Sequence, residues 1–69
     1  MTVIALPLAV PRAMQGQVVA ERYPLVQCLG QGAMGSVWLA RHLMLGSEVA
    51  VKLISAEMAR HPEAIQRFY

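Results

Sequence analysis

Aspartate and asparagine are both missing from this sequence, and its only carboxylate side chains are Glu21, Glu48, Glu57 and Glu63. Any mechanism that needs an Asp base, or an Asp or Asn metal ligand, is therefore excluded for these 69 residues acting alone. Cysteine is nearly absent as well. Cys28 has no partner for an internal disulfide, which makes a reducing compartment, the cytoplasm, the simpler expectation. One thiol and two histidines far apart in sequence, His42 and His61, do not make a structural metal set. Charge is sparse, at 14% Asp, Glu, Lys and Arg. The net +2 comes from Arg12, Arg22, Arg41, Lys52, Arg60 and Arg67, which are spread without the basic stripe a nucleic-acid binder presents. Long apolar runs are lacking too. Met1–Val10 is apolar, but Pro7 and Pro11 interrupt it, Arg12 follows, and no basic segment precedes it. It reads as neither a membrane span nor an export signal. Residues 1–20 are expected to be a flexible N-terminal extension.

What is present is hydrophobic. At 57% apolar residues the chain is no disordered tail, and its length sets the ceiling at one small domain or part of one. From Glu21 onward the pattern becomes regular. Tyr23–Leu29 is a short apolar, partly β-branched run that predicts a strand, with Pro24 near its start suiting an edge. Gly30–Gly35 reads as a loop or turn. Ser36–Arg41 predicts a second strand, Gly46-Ser47 a turn, and Glu48–Ile54 a third strand. Three strands with short links form an antiparallel meander. Ser55–Arg60 is a loop or a helical turn. Pro62 and Glu63 then suit the start of a helix whose apolar face carries Ile65, Phe68 and Tyr69. With no C-cap signal in sight, that helix reads as cut short. The expected fold class is α+β: a three-stranded meander followed by the start of a helix.

The glycines Gly30, Gly32 and Gly35 form a Gly-x-Gly-x-x-Gly pattern, which is weak by itself. A dinucleotide-binding fingerprint would need a helix running on from the third glycine, yet Gly35 leads into Val37 and Trp38. A Walker-type phosphate loop would need Lys-Ser/Thr where Ser36-Val37 stands. The remaining reading is a strand–turn–strand hairpin with a lysine on the next strand. Glycines let a backbone approach phosphates closely, main-chain N–H groups meet the anionic charge, and Lys52 adds a point cation. Strand alternation puts Ala50 and Lys52 on one face, with Val49, Val51 and Leu53 on the other. A flat base would then fit among Leu29, Val37 and Ala50. An ordinary glycine hairpin and a solvent-facing lysine are the plain alternatives. Trp38, Val49, Val51 and Leu53 are read as core, Cys28 as buried or half-buried, His42 and His61 as exposed turn residues, and the methionines as apolar filler.

The run Leu29-Gly30-Gln31-Gly32-Ala33-Met34-Gly35-Ser36-Val37, followed by Val49-Ala50-Val51-Lys52, resembles the opening of a eukaryotic-like protein kinase domain. The tip Gly32-Ala33-Met34-Gly35 is most similar to bacterial Ser/Thr protein kinases. The resemblance covers residues 21–69, which would be the N-terminal part of a kinase small lobe. It implies that Gly30, Gly32 and Gly35, with Gln31, Ala33, Met34 and Ser36 in the same loop, cover the phosphates of ATP. Leu29, Val37 and Ala50 would contact adenine, and Lys52 would hold the α- and β-phosphates. Ile65 and Phe68 would lie on the regulatory helix, whose glutamate partner for the lysine would fall just beyond Tyr69. The catalytic Asp, the Mg²⁺-binding Asn and the Asp-Phe-Gly segment of the family do not occur in these residues. The expectation is an ATP-binding part of a Ser/Thr protein kinase, with protein substrates and Mg·ATP belonging to the intact family and no phosphoryl transfer by this chain alone. A non-catalytic nucleotide-binding or interaction fragment is the second reading, and a dinucleotide binder the third. With Val49–Ile54 last in the sheet, an unpaired apolar edge is also expected.

Overall fold

A computed structural model describes residues 2–6, 10 and 13–68. Its elements are β1 (Thr2–Leu6), β2 (Val18–Val19), β3 (Tyr23–Gly32), β4 (Gly35–Arg41), β5 (Glu48–Ile54), a short 3₁₀ turn (Met58–Arg60) and α1 (Pro62–Phe68). The strands form one mixed sheet in the order β1-β5-β4-β3-β2. Strands β3, β4 and β5 pair antiparallel in sequence order. The expectation of three strands falls short by two, both within the expected flexible extension.

One of these, β1, runs parallel to β5, with Thr2 opposite Val49, Ile4 opposite Val51 and Leu6 opposite Leu53. The edge of β5 is therefore covered, correcting the expectation of an unpaired one. The physical reason is the face that β1 contributes. Alternation aims Ile4 and Leu6 to the side of Val51 and Leu53, and Ile4, Leu6, Val10 and Ala13 pack against the core. Val3, on the opposite face, is 60% exposed. The other addition, β2, pairs with the start of β3 through Val18–Pro24 and Val19–Tyr23. Three residues connect them: Ala20 and Glu21 take positive φ, and the Arg22 amide donates to the Val19 carbonyl at 3.1 Å to close the turn. Pro24 lies where only this short strand flanks β3.

The core occupies one face of the sheet: Val19, Tyr23, Leu25, Trp38, Ala40, Val49, Val51 and Leu53 form a single buried cluster. Trp38, Val49, Val51 and Leu53 are buried as their strand positions require. Cys28 is exposed instead of buried. The reason is that β3 leaves the core at Val26, and every residue from there to Gly32 is exposed. The second half of the hairpin thus projects past the packed layer. His42 is half-buried, its ring edge-on to Tyr23 at 5.3 Å, and its Nδ1 accepts from the amides of Met44 and Leu45 at 3.2 and 3.1 Å. It thereby shapes the β4–β5 turn, while His61 is exposed. Pro62 opens α1 as expected, but Ala64 is the buried residue and Ile65 is half-buried. The side chains of Phe68 and Tyr69 lie outside the described residues.

Candidate functional site

The glycine cluster continues the ladder where a loop is expected. Gly30 pairs with Val37, Gln31 with Ser36 and Gly32 with Gly35, after a register shift between Cys28 and Gly30. Only Ala33 and Met34 remain for the reversal. An antiparallel strand follows the third glycine, so the helix a dinucleotide fingerprint needs is not there, and that third reading is set aside.

Gly35 is the position where glycine is required. Its φ is +150°, and a Cβ built there would overlap the Leu53 carbonyl oxygen and lie 2.9 Å from the carbonyl carbon. Gly35 is also the ladder partner of Ile54, so the end of the hairpin is held edge to edge against the backbone of β5. Gly30 and Gly32 have nothing within 4 Å of a built Cβ, so the three glycines serve different ends. A second contact ties the tip to the same place. The amide of Ser55, just past β5, donates to the Met34 carbonyl at 2.8 Å. The Ser55 hydroxyl donates to the Ala33 carbonyl at 3.0 Å and accepts from the Met58 amide at 3.2 Å.

On β5, Lys52 stands opposite Val37, and Ala50 opposite Leu39. These four residues share one face, and Trp38, Val51 and Leu53 take the other. Lys52 is half-buried. It lines a cavity of about 200 Å³ together with Gly32, Met34, Gly35, Ser36, Val37 and Arg67. Leu29, Gly30, Gln31, Ala33 and Ala50 lie outside that lining. Leu29 sits within the register shift and is 51% exposed, while Ala50 is buried. Of the three residues expected around a flat base, only Val37 therefore reaches the cavity. Ser36 has a further task, since its hydroxyl accepts the Trp38 indole N–H at 3.0 Å and satisfies a buried donor.

Sequence reasoning missed Arg67 and Ser55. Arg67 is the basic residue in the last turn of α1, a segment read only for its apolar stripe. Ser55 follows the strand lysine by three positions and was read as part of a connecting loop. The available signal was its type, since a serine just past a strand and ahead of a helical turn readily bonds to nearby main chain. Among the described residues no carboxylate lines the cavity, and two cationic side chains do. Glycine main chain, an ammonium and a guanidinium facing one small space make a setting that favours an anion. Among the described residues no three His, Cys or Glu side chains gather in a metal-binding group, and none of the described helices is long and apolar enough to cross a membrane.

A curled sheet whose glycine hairpin and strand lysine line one cavity, followed by a helix, is consistent with the small lobe of a protein kinase. Comparison with known proteins gives the family. The chain is 47% identical over 47 residues to the serine/threonine-protein kinase Pkn1 of Myxococcus xanthus, a stretch that is 68% of this chain and 7% of that protein. It is 40% identical over 55 residues to the probable serine/threonine-protein kinase CPE1738 of Clostridium perfringens, covering 80% of this chain and 8% of the relative. It is 42% identical over 53 residues to the serine/threonine-protein kinase PknA of Mycobacterium tuberculosis, covering 77% and 12% respectively. No protein-family model matches. The chain belongs with the bacterial serine/threonine protein kinases, which it matches over most of its length. It spans only about a tenth of the length of these relatives.

Proposed function

We propose that this chain is the ATP-binding portion of a serine/threonine protein kinase. The carrying observation is the cavity that joins the glycine hairpin, Lys52 and Arg67 with no described carboxylate in its lining. In this reading the main chain at Gly30, Gln31, Gly32, Ala33, Met34, Gly35 and Ser36 lies over the phosphates. Lys52 holds phosphate oxygens and Val37 offers apolar contact for the base, with Leu29 and Ala50 adding to it beyond the cavity's present lining. The protein substrates and the transferase activity belong to a longer kinase, and a cytoplasmic location follows from the need for ATP and from the lone exposed thiol. The intact family uses Mg²⁺ with ATP. The residues around this cavity do not fit the metal, because hard cations take oxygen ligands and no described lining residue brings a carboxylate. The ion would arrive on the nucleotide.

The division of labour follows from what the chain has. It can bind and orient a triphosphate, but it has no Asp to accept the proton of a substrate hydroxyl. The expected result is ATP binding without transfer. Titration of the chain with ATP should give saturable binding that weakens about tenfold or more in Lys52→Ala, on the scale of one lost charge-assisted contact. Equal affinity in Lys52→Ala, or Mg·ATP-dependent phosphorylation above that variant's background, would defeat the proposal.

A further inference from the structure

Ser55, just past β5, joins the distant glycine turn to the 3₁₀ turn that follows it in sequence. Its amide and hydroxyl reach the carbonyls of Met34 and Ala33, the two residues of the glycine turn. The same hydroxyl takes the Met58 amide at the start of the 3₁₀ turn that leads into α1. The turn therefore has both of its carbonyls held from one residue at the end of β5. Met34 and Gly35, on one side of this junction, and Arg67, on the helix beyond it, line the same cavity as Lys52.

We propose that Ser55 is a positioning residue for nucleotide phosphates, a role that rests on the ATP-binding reading above. It fixes the height of the glycine turn over Lys52 and couples that turn to the segment carrying Arg67. Geometry supports a hold on the closed arrangement. Gly35 lets the hairpin approach the Leu53 backbone, but a missing Cβ only permits contact. The β4–β5 ladder, with Gly35 opposite Ile54 and Ser36 opposite Leu53, anchors the base of the turn, and the Ser55 bonds extend that hold to the two turn residues, Ala33 and Met34. With its carbonyls tied back to Ser55, the turn is kept from swinging those oxygens toward an incoming phosphate, where they would repel it. Loosening the turn raises the ordering cost paid on binding. That cost falls on the part of the ligand the turn touches, the phosphates, and leaves the nucleoside end unaffected.

The test uses the full chain and three forms: wild type, Ser55→Ala, and Ser55→Thr, which keeps the hydroxyl. ATP and adenosine are titrated by NMR, and amide hydrogen exchange is followed in parallel. In Ser55→Ala, ATP should bind about fivefold more weakly while adenosine is unchanged, the loss expected for one hydroxyl bridging two main-chain groups. The Met58 amide should exchange faster, and Ser55→Thr should recover ATP affinity to within about twofold. Unchanged ATP affinity in Ser55→Ala would overturn the inference, as would equal losses for ATP and adenosine, which would mark a general structural role. If Lys52→Ala loses ATP while Ser55→Ala does not, the ATP reading stands and the positioning role alone falls. Absence of ATP binding in the wild type would overturn both.

Discussion

Gly35→Ala should unfold much of the population, whereas Gly32→Ala should leave the fold nearly intact. Both belong to one glycine motif, yet their surroundings differ. At Gly35 a methyl group would overlap the carbonyl of Leu53 and stand 3.0 Å from the Cα of Ile54, with φ at +150°. Both obstacles are backbone, inside a sheet whose register is fixed on either side, so neither can rotate away as a side chain would. Overpacking costs about 1–3 kcal/mol, and holding a non-glycine residue in such a conformation costs on the order of 1–3 kcal/mol more. A chain of this length holds roughly 3–10 kcal/mol in all, so the sum approaches the whole. At Gly32 a methyl meets nothing within 4 Å, and the cost should stay under about 1 kcal/mol. Urea denaturation of the two variants measures the contrast. Coincident midpoints would show that the hairpin does not rest on β5 in solution.

Removal of Thr2–Leu6 should be the second large effect. The strand brings two half-buried apolar side chains, Ile4 and Leu6, onto the core, worth about 1 kcal/mol each at partial burial. Its main-chain bonds to β5 add about 1 kcal/mol apiece at most. A loss of about 3 kcal/mol is expected. The deletion would also bare β5, whose residues Val49, Ala50, Val51, Leu53 and Ile54 are all buried. An apolar strand with open N–H and C=O groups is a template for other chains. Light scattering and size-exclusion chromatography should therefore show association of the shortened chain at concentrations where the full chain stays monomeric. A monomeric truncation with an unshifted urea midpoint would show that β1 contributes no cover.

The parts of this fold that sequence made legible are those with local grammar. The alternation through Val49-Ala50-Val51-Lys52-Leu53 placed Lys52 on the face opposite the core, and the β4–β5 register puts it there beside Val37. Pro62 marked the first residue of α1. What escaped depends on distant partners. Nothing in Thr2–Leu6 names Val49–Leu53 as its neighbour, because a parallel pairing has no connecting turn to announce it. The exposure of Cys28 escaped for a related reason. The run Tyr23–Leu29 has strand composition throughout, but burial along it is set by how far the neighbouring layer extends, and only Tyr23 and Leu25 are buried. Arg67 escaped because a cavity gathers residues by shape, and Ser55 because its bonding partners, Ala33 and Met34, lie on a turn distant in sequence; neither spacing nor composition encodes that.

The parallel seam between β1 and β5 also sets an order of events in time. Strands β2 to β5 each meet a sequence neighbour, so they can pair through short hairpins. Residues 2–6 must wait for residues 49–53 to exist and to be in place, and closing so large a loop carries an entropic delay. The strand made first on the ribosome is thus the last to find its seat. Pulse-labelled hydrogen exchange during refolding should protect β4 amides before those of β1. Until that final docking, the growing chain passes through a stage in which its stickiest strand is uncovered, and its yield in a cell will depend on how briefly that stage lasts.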